Sequence, residues 1–188
     1  MQKLSESSQR DKVIDILNER LAFERAGVKL YDRILDVLRT SGDENEKRML
    51  GEMQKHRDEE KEHEEWLEAQ IRQMGGDAHS ETEKSILITR ESKGIEEVVM
   101  SDAQLPHLFH ALLAAELVDN AGWDLLATLA DEAGDHAAKR EFKKRLHEEE
   151  DHLLFVRKAV VLYSEQEVLG LEVKMPSSSG FLSGLRPT

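Results

Sequence analysis

The chain has 188 residues, with 26 Lys and Arg against 39 Asp and Glu, a formal charge of −13. That length suits one domain, or one domain with a tail, and the absence of cysteine excludes disulfides, Cys-ligated zinc, iron–sulfur clusters and thiol catalysis. So acidic a surface repels phosphate backbones, which argues against nucleic acid as a partner.

Residues 1–10 have no apolar h-region and are expected to be disordered. No stretch approaches the roughly 18 consecutive apolar residues of a membrane span. A soluble, cytoplasmic protein without membrane partners is therefore expected.

Residues 11–39 read as the first amphipathic helix. Ile14, Leu17, Leu21, Glu24, Val28, Tyr31, Leu35 and Leu38 recur in steps of three and four, on one stripe. Ser41-Gly42-Asp43 breaks the pattern, and Asp43 is placed to cap the next helix. The second helix, residues 44–74, carries Met49, Met53, His56, Glu60, His63, Leu67, Gln70 and Met74 on its stripe, and Gly75-Gly76 ends it.

A long connection follows over 75–101, with one apolar run, Ile86-Leu87-Ile88, and a helical turn at 95–100. The third helix, 105–132, has the stripe Phe109, Leu113, Glu116, Asn120, Trp123, Ala127 and Ala130. Gly134 closes it, and Asp135 can cap a fourth helix that reaches Tyr163 through Phe142, Arg145, Glu149, His152, Val156 and Ala159. Two helical hairpins joined by a long crossover predict an all-α four-helix bundle over 11–165. Residues 166–188 form a tail with a Ser-rich joint, Pro176-Ser177-Ser178-Ser179-Gly180, and an apolar end, Phe181-Leu182-Ser183-Gly184-Leu185-Arg186.

Each helix sets a carboxylate in the middle of its apolar stripe: Glu24, Glu60, Glu116 and Glu149. In the second and fourth helices a histidine follows three residues later, giving Glu60-Lys61-Glu62-His63 and Glu149-Glu150-Asp151-His152. Residues three apart project from one helix face, so each pair can grip one ion. Glu116 lies 92 positions after Glu24, and the two Glu-x-x-His motifs lie 89 apart, as in an internal duplication. A single glutamate in a stripe ordinarily reaches for solvent from a bundle end. Four facing carboxylates would each cost several kcal/mol or more in a dry core. Of possible partners, only His56 and Arg145 share these stripes, whereas two divalent cations would balance the charge and the imidazoles would fill further ligand positions.

Four Glu and two His form the ligand set of a dinuclear carboxylate centre inside a bundle. On these motifs residues 11–163 resemble the ferritin-like superfamily, nearest the rubrerythrin, or erythrin, branch, which also carries Glu-x6-Tyr as in Glu24 to Tyr31. Trp123 stands where the second tyrosine of that branch would fall. Asp119 takes the place of an extra carboxylate ligand, and the four cysteines of a rubredoxin domain are absent. The resemblance implies that Glu60 and Glu149 bridge two metals, that Glu24 and Glu116 are terminal ligands, and that His63 and His152 bind one metal each. Carboxylate and imidazole ligands favour two iron ions, with manganese as the alternative.

The activity implied is oxidation of Fe(II) with O2 or peroxide, in iron handling or peroxide defence. A manganese or iron catalase or peroxidase, a di-iron oxygenase, an iron-storage or cargo protein, and a metal-free bundle are the rivals. Tyr31 and Trp123, two turns from Glu24 and Glu116, read as hydrogen-bond donors to ligands, as one-electron donors, or as aromatic core. His56 and Arg145, one turn before the motifs, read as donors to ligands or as a polar layer beside the metals. His107, His110, His136 and His147 read as surface residues. Glu59 and the rest of the 58–65 run, with Glu148, Glu150 and Asp151, read as solvated face. The end of the tail resembles the targeting peptides of encapsulin cargo, so an encapsulin shell joins further copies of the chain among the expected partners.

Overall fold

The computed structural model describes residues 1–177, and among these the protein is an all-helical bundle without strands. Seven helices follow in order: α1 (Gln2–Ser5), α2 (Arg10–Thr40), α3 (Glu44–Lys47), α4 (Leu50–Gln73), α5 (Glu83–Ser101), α6 (Leu105–Glu132) and α7 (His136–Leu169). The apolar end of the tail, read above as a targeting peptide, lies outside the described residues. No helix among them is long and apolar enough to cross a membrane.

Four long helices carry the stripes. Arg25 reaches Glu68 at 2.6 Å and Arg57 reaches Asp32 at 2.8 Å, so α2 and α4 run antiparallel. Tyr31 meets Glu116 while Glu24 meets Trp123, so α2 and α6 are also antiparallel. The pairs His63–Glu148 and Glu59–His152 set α4 against α7 in the same manner. The sharp turn between α6 and α7 depends on Gly134, whose φ of +64° favours glycine. Asp135 then caps α7 by accepting the Ala138 N–H at 3.0 Å.

The crossover differs from expectation. In place of an apolar run and one helical turn, residues 83–101 form the full helix α5, packed on α2 and α6. A capping box starts it: Thr82 accepts from the Ser85 N–H, and Ser85 accepts from the Thr82 N–H. Ser85, Ile88, Ser92 and Val99 are its buried face. The second predicted helix is split, because α3 stops at Lys47 and α4 begins at Leu50.

The ends are also more ordered than expected. Residues 1–10, predicted to be disordered, contain α1, which buries Leu4 and whose Leu4 N–H binds the free oxygen of Asp135 at 3.2 Å. Helix α7 continues past Tyr163 to Leu169. Beyond it, Asn45 clasps the chain, donating to Val173 O and accepting from the Met175 N–H, with Met175 buried.

Apolar packing falls into two clusters. One gathers Leu30, Ile34, Met53, Phe109, Leu112, Phe155 and Ala159, and the other Leu17, Leu21, Leu67, Ile71, Leu126 and Phe142. Between them, at mid-height of the long helices, lies a buried layer of charge.

Candidate metal centre

All six predicted ligands meet in that layer. Glu24, Glu60, His63, Glu116, Glu149 and His152 are each at most 2% exposed. His63 Nδ1 lies 2.8 Å from Glu149 Oε1 and 3.4 Å from Glu24 Oε2. His152 Nδ1 lies 3.2 Å from Glu149 Oε2, 3.5 Å from Glu60 Oε1 and 3.9 Å from Glu116 Oε2. Two sets of ligand atoms lie within 4.8 Å of one another: Glu24, His63 and Glu149, and Glu60, Glu116, Glu149 and His152. A further set joins Glu60 to Glu24, Asp119 and Glu149. Glu60 and Glu149 thus belong to groupings on both sides, while Glu24 and Glu116 take the flanks.

The two halves brace each other crosswise. Tyr31 donates to Glu116 Oε1 at 2.6 Å, and Trp123 donates from Nε1 to Glu24 Oε1 at 2.9 Å. Of the readings open for these aromatics, the contact observed is the hydrogen bond to a ligand. Glu24 Oε2 and Glu116 Oε2 are left buried without a hydrogen-bond partner, along with Glu60 Oε2, both Glu149 oxygens, and Nδ1 of His63 and His152. Buried polar atoms are ordinarily satisfied. These seven atoms are of ligand type and converge, so this donor set fits divalent cations.

Glu59 and Glu148, expected on the solvated face, turn inward. Glu148 Oε2 stands 2.9 Å from His63 Nε2, and Glu59 Oε2 stands 3.0 Å from His152 Nε2. A carboxylate behind each imidazole fixes the ring and raises its basicity, as behind metal-bound histidines. The signal was available, because the two residues are 89 apart and each precedes a motif glutamate.

Arg20 is a charge partner in the layer beyond His56 and Arg145. Its guanidinium, 5% exposed as a residue, pairs with Asp119 Oδ1 at 3.3 Å and with Glu24 Oε1 at 3.5 Å. It needs Gly122, where a Cβ would overlap the guanidinium. Asp119 is a fifth buried carboxylate, and Arg20 offsets it. In the first half the matching position, three after Glu24, is Gly27, and there a Cβ would overlap the Glu60 carboxylate. The centre is therefore asymmetric in its small residues as well as in its aromatics.

His56 and Arg145 occupy matching places but behave differently. Arg145 lies 3.8 Å over the Trp66 ring and pairs with Glu141. His56 stacks against His152 with 4.3 Å between centroids, and burial lowers its imidazole to about 4. His107, His110, His136 and His147 are exposed, as expected.

Electrostatics follow from this crowding. Burial, then the Glu149 and Glu24 charges, push the Glu60 carboxyl well above its ordinary range. Burial raises Glu116 to about 8 against the opposing pull of His152. Burial opposes charge on His63, yet the adjacent carboxylates of Glu148, Glu149 and Glu24 outweigh it and raise that imidazole to about 12. Protons and cations would compete for these same buried atoms. Tyr31, raised by burial and then by Glu116 and Glu60, stays a proton donor.

Comparison with family models, curated proteins and solved structures returns no match for this chain.

Proposed function

We propose that the protein is a ferritin-like dinuclear carboxylate protein that oxidises Fe(II) with O2 or peroxide. One observation carries the reading: seven ligand-type atoms of Glu24, Glu60, Glu116, Glu149, His63 and His152, none with a hydrogen-bond partner, converge in one buried layer. Five buried carboxylates against the Arg20 guanidinium leave a charge that two divalent ions would balance. Glu24, His63 and Glu149 would hold one ion, and Glu60, Glu116, Glu149 and His152 the other. Two Fe(II) ions held together supply two electrons to a common oxidant.

The chain's own residues prepare that chemistry. Glu59 and Glu148 keep the Nδ1 atoms of His152 and His63 turned inward. Tyr31 and Trp123 occupy one oxygen of each flanking glutamate and leave the other free. The apolar clusters on either side keep bulk water from the layer, which strengthens every charge interaction inside it.

Fe(II)-dependent O2 consumption tests the proposal. Glu60→Ala and His63→Ala should abolish it while helicity is largely kept. Unchanged oxidation in both variants would place the chemistry elsewhere. Fewer than about one transition metal per chain, with no gain on Fe(II) addition, would end the dinuclear reading.

A further inference from the structure

The outer ends of the two histidine ligands are not alike. Behind His63, Glu148 pairs with Lys144 at 3.4 Å, and the neighbouring Arg145 is committed to Glu141 and to the Trp66 ring. Permanent cations fill that end. Behind His152, the residue matching Arg145 is His56, 89 positions earlier.

His56 is 0% exposed, and neither ring nitrogen has a hydrogen-bond partner. Its Nε2 lies 3.4 Å from Glu52 Oε1. Glu59 gives Oε2 to His152 and turns Oε1 the other way, toward Lys55. Ligand atoms of His56, Glu59 and His152 lie within 4.8 Å of one another. The Lys55 ammonium sits 3.6 Å from Glu52 Oε1 and 3.3 Å from Glu59 Oε1, on a side chain 48% exposed. Glu52 Oε1 thus meets both the buried His56 Nε2 and the Lys55 ammonium, and Glu59 Oε1 meets the same ammonium, a monovalent cation on a half-exposed side chain.

We infer that His56, Glu52 and Glu59 form a third cation site, which takes a divalent transition metal in place of the Lys55 ammonium. An imidazole nitrogen among carboxylate oxygens selects such a metal over magnesium or calcium. Two carboxylates match a divalent ion better than one ammonium. The site lies beside His152 and has no counterpart behind His63, so cations approach the centre from one end. This rests on the dinuclear reading, because Glu59 serves both the third site and the His152 ring.

Co(II) is a suitable probe, counted per chain after equilibrium dialysis, with its visible absorption reporting the imidazole. Wild-type protein should bind three ions, and Glu52→Gln and His56→Leu two. Glu52 touches none of the six central ligands, so its variant tests the site even if His56→Leu disturbs folding. Lys55→Met should keep three and bind the third roughly threefold to tenfold more tightly, as expected for losing a half-exposed competing charge. A wild-type count of two, or a Glu52→Gln count of three, overturns the third site. A wild-type count below two overturns the dinuclear centre and the third site with it.

Discussion

Glu148 Oε2 stands 2.9 Å from His63 Nε2, across the boundary between α7 and α4. The contact fixes which nitrogen of His63 faces inward, and Glu59 does the same for His152. Glu148→Ala should therefore weaken metal binding by about 10–100-fold with little loss of fold, since Glu148 is only half-buried. Competition with a chelator measures it. An affinity equal to wild type would reduce Glu148 to a surface charge.

Glu60 shows the opposite balance between function and stability. Its carboxyl is pushed up by burial and by Glu149 and Glu24, so the charged form is disfavoured in the fold. At neutral pH, Glu60→Gln should raise the melting temperature of metal-free protein, by about 2–4 °C for each kcal/mol relieved. Wild type should gain ~2.7 kcal/mol from metal at a hundred times its dissociation constant, and the variant much less. Calorimetry with and without Mn(II) compares the two. A metal-free variant less stable than wild type would contradict this account of the layer.

Gly27 gives a test in which helix propensity points the wrong way. At an ordinary helical site, Gly→Ala stabilises by about 1 kcal/mol. At Gly27 the added methyl would overlap the Glu60 carboxylate. Gly27→Ala should lose metal affinity by roughly tenfold or more, about 1.4 kcal/mol or more, and gain no stability. A more stable variant with full metal content would mean that Glu60 moves aside without consequence.

Asp135 sets an acid limit far from the centre. Burial opposes its charge, but the N–H groups of Ala138 and Leu4 outweigh this and hold its carboxyl below the ordinary range. A depressed folded value contributes stability above the unfolded value, near 3.9, which is lost as pH falls through the folded one. Asp135→Ala should cost about 1 kcal/mol at pH 7, and the gap should narrow below about pH 4. Urea midpoints at pH 7 and pH 3 provide the check. A constant gap would show that the carboxylate charge is not what caps α7.

The long helices and the six central residues were legible because two signals coincide there. Apolar spacing names the buried face, and a charge on that face is conspicuous. Helix α5 was not legible, because Ser85 and Ser92 alternate with Ile88 and Val99 along its buried side and weaken the apolar period. Arg20 escaped although it lies one turn before Glu24, since its partner Asp119 is remote in sequence and the space for it comes from Gly122. Glu59 and Glu148 escaped because half-buried residues at a stripe's edge read as solvated. Their inward turn depends on histidines supplied by another helix.

The crossed bonds of Tyr31 and Trp123 make each hairpin depend on the other. Each aromatic lies seven residues after the glutamate of its own hairpin, yet it steadies the glutamate of the other. The repeated motifs are carried by each hairpin separately, while the crossed bonds join the two hairpins into one unit. A substitution of either aromatic is felt at a buried glutamate of the other hairpin, so neither half sets its own geometry alone. Trp123 matches Tyr31 in its spacing from the helix glutamate, and a different ring delivers the same single proton donor, here to Glu24.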